Sequence, residues 1–192
     1  MEHNAQMNAE QSLNLINETL NNNRRIIAKQ SGTHFILWGA LLTVMAVIIY
    51  FLWKGTGSAA WNLLWFAMPM IGYPLGYLLD KKAGKVPSNM ISNLLGWTWS
   101  AFGTFAIVLS TCALSFAPMD LTFVIILLFG MAENITGAIL KSWPIIISGL
   151  LIGVGGAIVA TMIPLGTAQM LLFVVAGVVL ALTGVVVKCL KK

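Results

Sequence analysis

The residue in this sequence best placed to do chemistry is Glu133. It lies inside an otherwise apolar run, Leu121 to Leu140, and Lys141 is the nearest cation along the chain. On a helix that cation is about 12 Å away. Asn134 is its neighbour, and Gly130 and Gly137 share its helical face at i−3 and i+4. A carboxylate in hydrocarbon is costly, and acids placed there are functional hypotheses by default: they hold a proton or a cation. The structural alternative is a hydrogen bond that ties two helices together. Tyr73 is a second candidate, because Pro69 and Pro74 flank Ile71-Gly72-Tyr73 in one apolar run. Each proline removes a helical hydrogen bond, and Gly/Pro interruption points to binding sites in transporters. His34 stands at the mouth of the first apolar run. The candidate binding residues are therefore Glu133, Asn134, Tyr73 and His34. Cys112, Cys189 and the two histidines have no metal-ligand spacing. There is no HExxH, Gly-x-Ser-x-Gly or phosphate loop. No enzyme activity, metal or cofactor is expected.

The elements that must position these residues belong in lipid. Of 192 residues, 58% are hydrophobic and 9% are charged. A soluble domain carries roughly 25% charge, so a water-soluble body is excluded. The net charge is +5, but the basic residues are scattered, and no nucleic-acid partner is expected. A spanning helix needs about 20 apolar residues. Six runs qualify: 35–53, 59–79, 91–114, 121–140, 144–163 and 168–187. They are continuous rather than alternating, which excludes a β-barrel. The expected fold is an all-α integral membrane protein with six transmembrane helices as three hairpins, plus an N-terminal amphipathic helix. The expected parts are a polar segment 1–33, a membrane domain 34–188 and a basic tail 189–192. The first 30 residues are polar and asparagine-rich, so no cleavable signal peptide is expected.

Charge orients the chain. With the N-terminus cytoplasmic, Arg24, Arg25, Lys29, Lys81, Lys82, Lys85, Lys141, Lys188, Lys191 and Lys192 lie inside, and only Lys54 lies outside. The positive-inside rule then places both termini in the cytoplasm. Trp53, Trp61 and Trp65 fall at the outer level, and Trp38, Trp97, Trp99 and Trp143 near the inner one, as amphipathic rings prefer.

Glycine supplies the means of packing. Gly72 and Gly76 pair in the second span, Gly149, Gly153 and Gly156 form a stripe in the fifth, and Gly177 and Gly184 are seven apart in the sixth. Small residues let backbones approach in lipid, where no hydrophobic drive brings helices together. Gly39, Gly103 and Gly149 recur early in each rising helix, and Thr136-Gly137 matches Thr183-Gly184, the pattern of a threefold hairpin repeat, or of glycine and lysine recurring at hairpin ends as they do in any hairpin. Residues 9–29 read as a helix with Leu13, Ile16, Leu20 and Ile27 on one face. Such a helix lies on the membrane or caps the bundle, or it docks a partner.

Arg24-Arg-Ile-Ile-Ala-Lys, Phe35-Ile-Leu-Trp-Gly39 and Phe66-Ala-Met-Pro-Met-Ile-Gly-Tyr-Pro-Leu resemble a group of small uncharacterised bacterial membrane proteins. Those have a polar N-terminal helix before six spans and look like genomic neighbours of winged-helix regulators. The resemblance implies the bacterial inner membrane and transfers no site residue. The expected partners are membrane lipids, a second copy in a homo-oligomer and a protein at the N-terminal helix. Two functions are open. One is an accessory, sensory or structural role through helix contacts. The other is a small transporter or channel for a proton, cation or small molecule using Glu133. A polar cavity reaching Glu133 would favour the second, and a sealed face the first.

Overall fold

The structure is a computed structural model that describes residues 9–83, 89–115 and 119–190. The described residues are almost entirely helical, with no strand among them. Helix α1 (Ala9–Thr56) is followed by a 3₁₀ stretch (Ala59–Phe66), α2 (Ala67–Ala83), α3 (Met90–Ser115) and α4 (Leu121–Leu140). Then come α5 (Trp143–Leu150), a π-turn (Leu151–Gly155), α6 (Gly156–Met162), a short 3₁₀ turn (Thr167–Gln169) and α7 (Met170–Leu190). The expected tail therefore begins inside α7. His3, Lys85, Pro118, Lys191 and Lys192 lie outside the described residues.

Five helical stretches are long and apolar enough to cross a membrane: Glu10–Thr56, Met90–Ala113, Leu121–Leu140, Trp143–Met162 and Thr167–Leu190. The expected second span differs. It is divided into the 3₁₀ stretch and α2, and α2 ends in the polar Asp80-Lys81-Lys82. Proline explains the division: Pro69 sits in the first turn of α2, where a missing N–H costs least. Pro74 interrupts its middle.

The boundary expected near residue 33 is not marked by any break. Alpha-helix α1 runs unbroken for 48 residues, about 72 Å. Asn21-Asn22-Asn23 and Gly32 are poor helix formers, yet tertiary packing holds at least the glycine. A Cβ on Gly32 would sit 2.9 Å from Gly184 O on α7. Two turns further on, a Cβ on Gly39 would lie 2.5 Å from Gly177 O and 2.6 Å from Ala181 N. The two glycine pairs, each seven apart, face each other in antiparallel order and seat α1 directly on α7.

A second pair is built the same way. Gly130 on α4 opposes Gly149 and Gly153, with a Cβ at Gly130 falling 2.5 Å from Gly149 O. A Cβ on Gly137 would be 2.8 Å from Ile146 N. Asp120 caps α4 by accepting from Phe123 N at 3.1 Å, and Lys141 ends it in the left-handed region at φ 50°. Pro144 falls in the first turn of α5, as expected.

The closest helix pairs are thus α1 with α7 and α4 with α5, and neither is one of the three expected hairpins. The proposed repeat also divides: Gly39 and Gly149 lie in tight contacts, whereas a Cβ on Gly103 would meet nothing within 4 Å. Helix α3 has the least-buried spanning window, 6% against 33–50% for the other four. The seven packing glycines of the sequence analysis are all engaged. Gly72 lies against the Trp38 ring, Gly76 lies 3.5 Å from His34 Cε1, and Gly156 lies 2.7 Å from Ile126 Cγ2, each measured from an added Cβ. Trp38 and Trp99 pack inside the bundle, Trp99 edge-on to Phe35 and Phe129. Trp97 and Trp143 point outward.

Candidate functional site

The four candidate residues do not form one site. Glu133 and Asn134 lie where α4 meets α5, His34 lies between α1 and α2, and Tyr73 points outward from α2. Tyr73 is exposed, with its ring edge-on to Trp38 at 5.5 Å.

Glu133 is 0% exposed. The glycines that flank it explain why: Gly130 and Gly137 bring the α5 backbone against α4 on the face that carries the acid. Ser148 of α5 faces it, and its Oγ donates to Glu133 Oε1. The same hydroxyl lies 3.0 Å from its own helix's Ile145 carbonyl. A serine has one proton to give, so the two oxygens compete for it. Glu133 Oε2 is buried without a hydrogen-bond partner. Asn134 Nδ2 donates to Gly130 O at 2.9 Å, within its own helix, and Asn134 also packs against Gly149. Thr136 donates to Ala132 O at 2.8 Å.

The π-turn lies next to this contact and contains Gly153, which touches Gly130. A π-turn inside a helix often marks a functional site. Here its glycines, Gly153 and Gly155, also lower the cost of leaving α geometry. Among the described residues no group of three metal-ligating side chains occurs anywhere.

The second polar cluster sits where the middle of α1 meets the C-terminal end of α2. Asp80 Oδ1 accepts from Gln30 Nε2 at 2.6 Å and lies 2.8 Å from His34 Nε2. Beside it a surface depression of about 390 Å³ is lined by Ile27, Gln30, Ser31, His34, Ser92, Asn93 and Leu95. A depression of about 410 Å³ at the other end is lined by Trp61 and its neighbours. Neither reaches Glu133. The His34 and Asp80 side chains are 30% and 42% exposed, so their pairing is worth little. Asp80→Ala is expected to cost no more than about 1 kcal/mol, read as a small drop in thermal unfolding temperature in detergent. A loss of several kcal/mol would show that this pair anchors α2.

No family model, curated protein or solved structure matches the chain. Function therefore has to come from geometry.

Sequence reasoning missed three partners. Ser148 gave no signal beyond its place four residues after Pro144. Asp80 falls one residue past the expected second span, and stands one turn from Gly76, which faces His34. Gln169 is 4% exposed and its Nε2 lies 3.2 Å from both Asp120 oxygens, which ties the start of α7 to the cap of α4.

Proposed function

We propose that the chain is a multi-pass membrane protein that works through helix contacts, in an accessory, sensory or structural role. The observation that carries this reading is the sealed face of Glu133. The one acid in the middle of a span is fully buried between two backbones in glycine contact, and its partner is a serine. A transport path needs water or a polar lining at its coupling residue, and here the space is occupied by helix. In this reading Glu133 is interhelical glue, with the modest strength such bonds have in lipid.

The reading includes six spans, both termini cytoplasmic, in a bacterial inner membrane. The 3₁₀ stretch and α2 together cover about 40 Å if collinear, from 2.0 and 1.5 Å per residue. That is enough for the roughly 30 Å of hydrocarbon. The charge segregation supports the orientation. The test of topology is a reporter fused after Lys192, expected to be active only in the cytoplasm. An impermeant thiol reagent added outside is expected to spare Cys189, which is exposed at the end of α7. Periplasmic reporter activity, or outside labelling of Cys189, would overturn the topology.

The test of the role is flux. Proteoliposomes of the whole chain under a proton or potassium gradient are expected to leak no faster than protein-free vesicles. A flux that Glu133→Gln abolishes would overturn the helix-contact reading.

A further inference from the structure

The depression beside His34 lies between α1 and α3, which are not among the closely packed helix pairs. Phe35 and Trp99 bridge the two helices on one side of it, edge to face. On the other side, toward the start of α3, the surface turns polar. Gln30 and Ser31 on α1 and Ser92 and Asn93 on α3 line the depression. One helical turn further back stand Arg24, three residues before Ile27, and Asn89, three before Ser92. Each carries a buried donor without a hydrogen-bond partner, Arg24 Nε and Asn89 Nδ2.

The cap of α3 fixes which end of the Asn89 amide is left over. Its Oδ1 accepts from Ser92 N at 2.9 Å, so the nitrogen remains. Gln30 and His34 are already engaged: Asp80 Oδ1 accepts from Gln30 Nε2 and lies 2.8 Å from His34 Nε2. What the polar end of the cleft offers is thus a guanidinium and an amide, with the Ser31 hydroxyl and the Asn93 amide beside them. Buried donors call for an acceptor, and a guanidinium suits an oxyanion best. The charge balance agrees. Residues 24–34, 80–83 and 89–95 carry Arg24, Arg25, Lys29, Lys81 and Lys82 against Asp80 alone. Past His34 and Asn93 both helices turn apolar, through Phe35-Ile-Leu-Trp38 and Leu94-Leu95. There α3 faces outward, with Leu94 and Trp97 exposed. A ligand that matches this surface is anionic at one end and apolar at the other.

We propose that the α1–α3 cleft binds an anionic phospholipid, its phosphate held by Arg24 and Asn89 and its acyl chains lying along the exposed face of α3. Basic pockets between spanning helices on the cytoplasmic side suit such headgroups. A choline nitrogen would find only Asp80, whose Oδ1 already has Gln30 and His34 beside it. The inference rests on the membrane reading above, whose cytoplasmic N-terminus puts this end of α3 at the inner headgroup level.

The test uses the full chain in mild detergent, titrated with dioleoyl phosphatidylglycerol, dioleoyl phosphatidylcholine or inorganic phosphate. Native mass spectrometry reads the bound molecules, and thermal unfolding reads the stabilisation. Phosphatidylglycerol is expected to bind about tenfold more tightly than phosphatidylcholine. Arg24→Gln removes the charge. Asn89→Asp keeps the capping oxygen and replaces the donor with a second oxygen. Each is expected to weaken phosphatidylglycerol binding about tenfold, the loss of one charge-assisted bond. Lys29 is exposed on the opposite face of α1, and Lys29→Gln is expected to leave binding unchanged. Without lipid, the variants are expected to unfold as the parent does. If Arg24→Gln does not fold, Asn89→Asp on the other helix decides. Equal binding of the two lipids, or equal weakening by Lys29→Gln, would overturn the proposal. So would stabilisation by inorganic phosphate alone that matches phosphatidylglycerol, which would make this a site for a soluble anion. The topology reporter reads the membrane orientation independently, so the lipid site can fail while that reading stands.

Discussion

Gly130→Leu is expected to leave the chain unable to assemble its bundle. The new side chain would start inside Gly153 Cα and 2.5 Å from Gly149 O. Those atoms are backbone, so no rotamer change can make room. Overpacking costs typically 1–3 kcal/mol, and here two helices must separate along their length. Gly39→Leu is expected to do the same between α1 and α7, where the obstructing atoms are Gly177 O and Ala181 N. The controls are Gly96→Leu and Gly103→Leu on α3, where an added Cβ meets nothing within 4 Å. Those are expected to stay within about 0.5 kcal/mol, as surface substitutions do. Thermal unfolding and size-exclusion profiles in detergent give the comparison. If all four variants behave alike, glycine contact is not what builds this bundle.

Glu133→Lys is expected to be the most damaging change at a polar position. An ammonium would replace a buried acid whose partner is a serine and which makes no ion pair among the described residues. Leaving an uncompensated charge buried costs about 3–5 kcal/mol, and the variant should fail to accumulate in the membrane. Glu133→Gln keeps the shape and can still bond Ser148, so it is expected to fold as the parent does. Glu133→Leu loses the interhelical bond and should cost about 1–2 kcal/mol, the upper part of the range for such bonds in lipid. The order Gln, then Leu, then Lys identifies a structural acid. Expression level and unfolding temperature of the three variants check it.

Much of the fold was legible because lipid imposes a simple rule on backbone. Apolar runs of 20 residues must be helices, and spans 91–114, 121–140, 144–163 and 168–187 coincide with α3, α4, α5–α6 and α7 to within a few residues. The second span was less legible because Pro69 and Pro74 compete with a continuous helix, and hydropathy does not register proline. The join between the N-terminal helix and the first span was missed for the opposite reason. Gly32 and three asparagines read as weak points, and only the contact with Gly184 shows why the helix continues through the glycine. Helix pairing was not legible in hairpin terms. Adjacent spans in sequence suggest adjacent packing, but the glycines seven apart at 32 and 39 find theirs at 184 and 177, across the whole chain. The site was half legible. Hydropathy located Glu133 and the glycines gave its face, while Ser148 carried no pattern of its own.

The direct test of the account is whether water reaches Glu133 in the folded protein. In the Cys112→Ser, Cys189→Ser background, Glu133→Cys places a thiol in the α4–α5 contact. A small water-soluble maleimide added to both sides of a membrane preparation is expected to leave it unlabelled until the protein is unfolded. Rapid labelling in the folded state, slowed by protons or by a cation, would show an open polar path at this residue and contradict the sealed, helix-binding role.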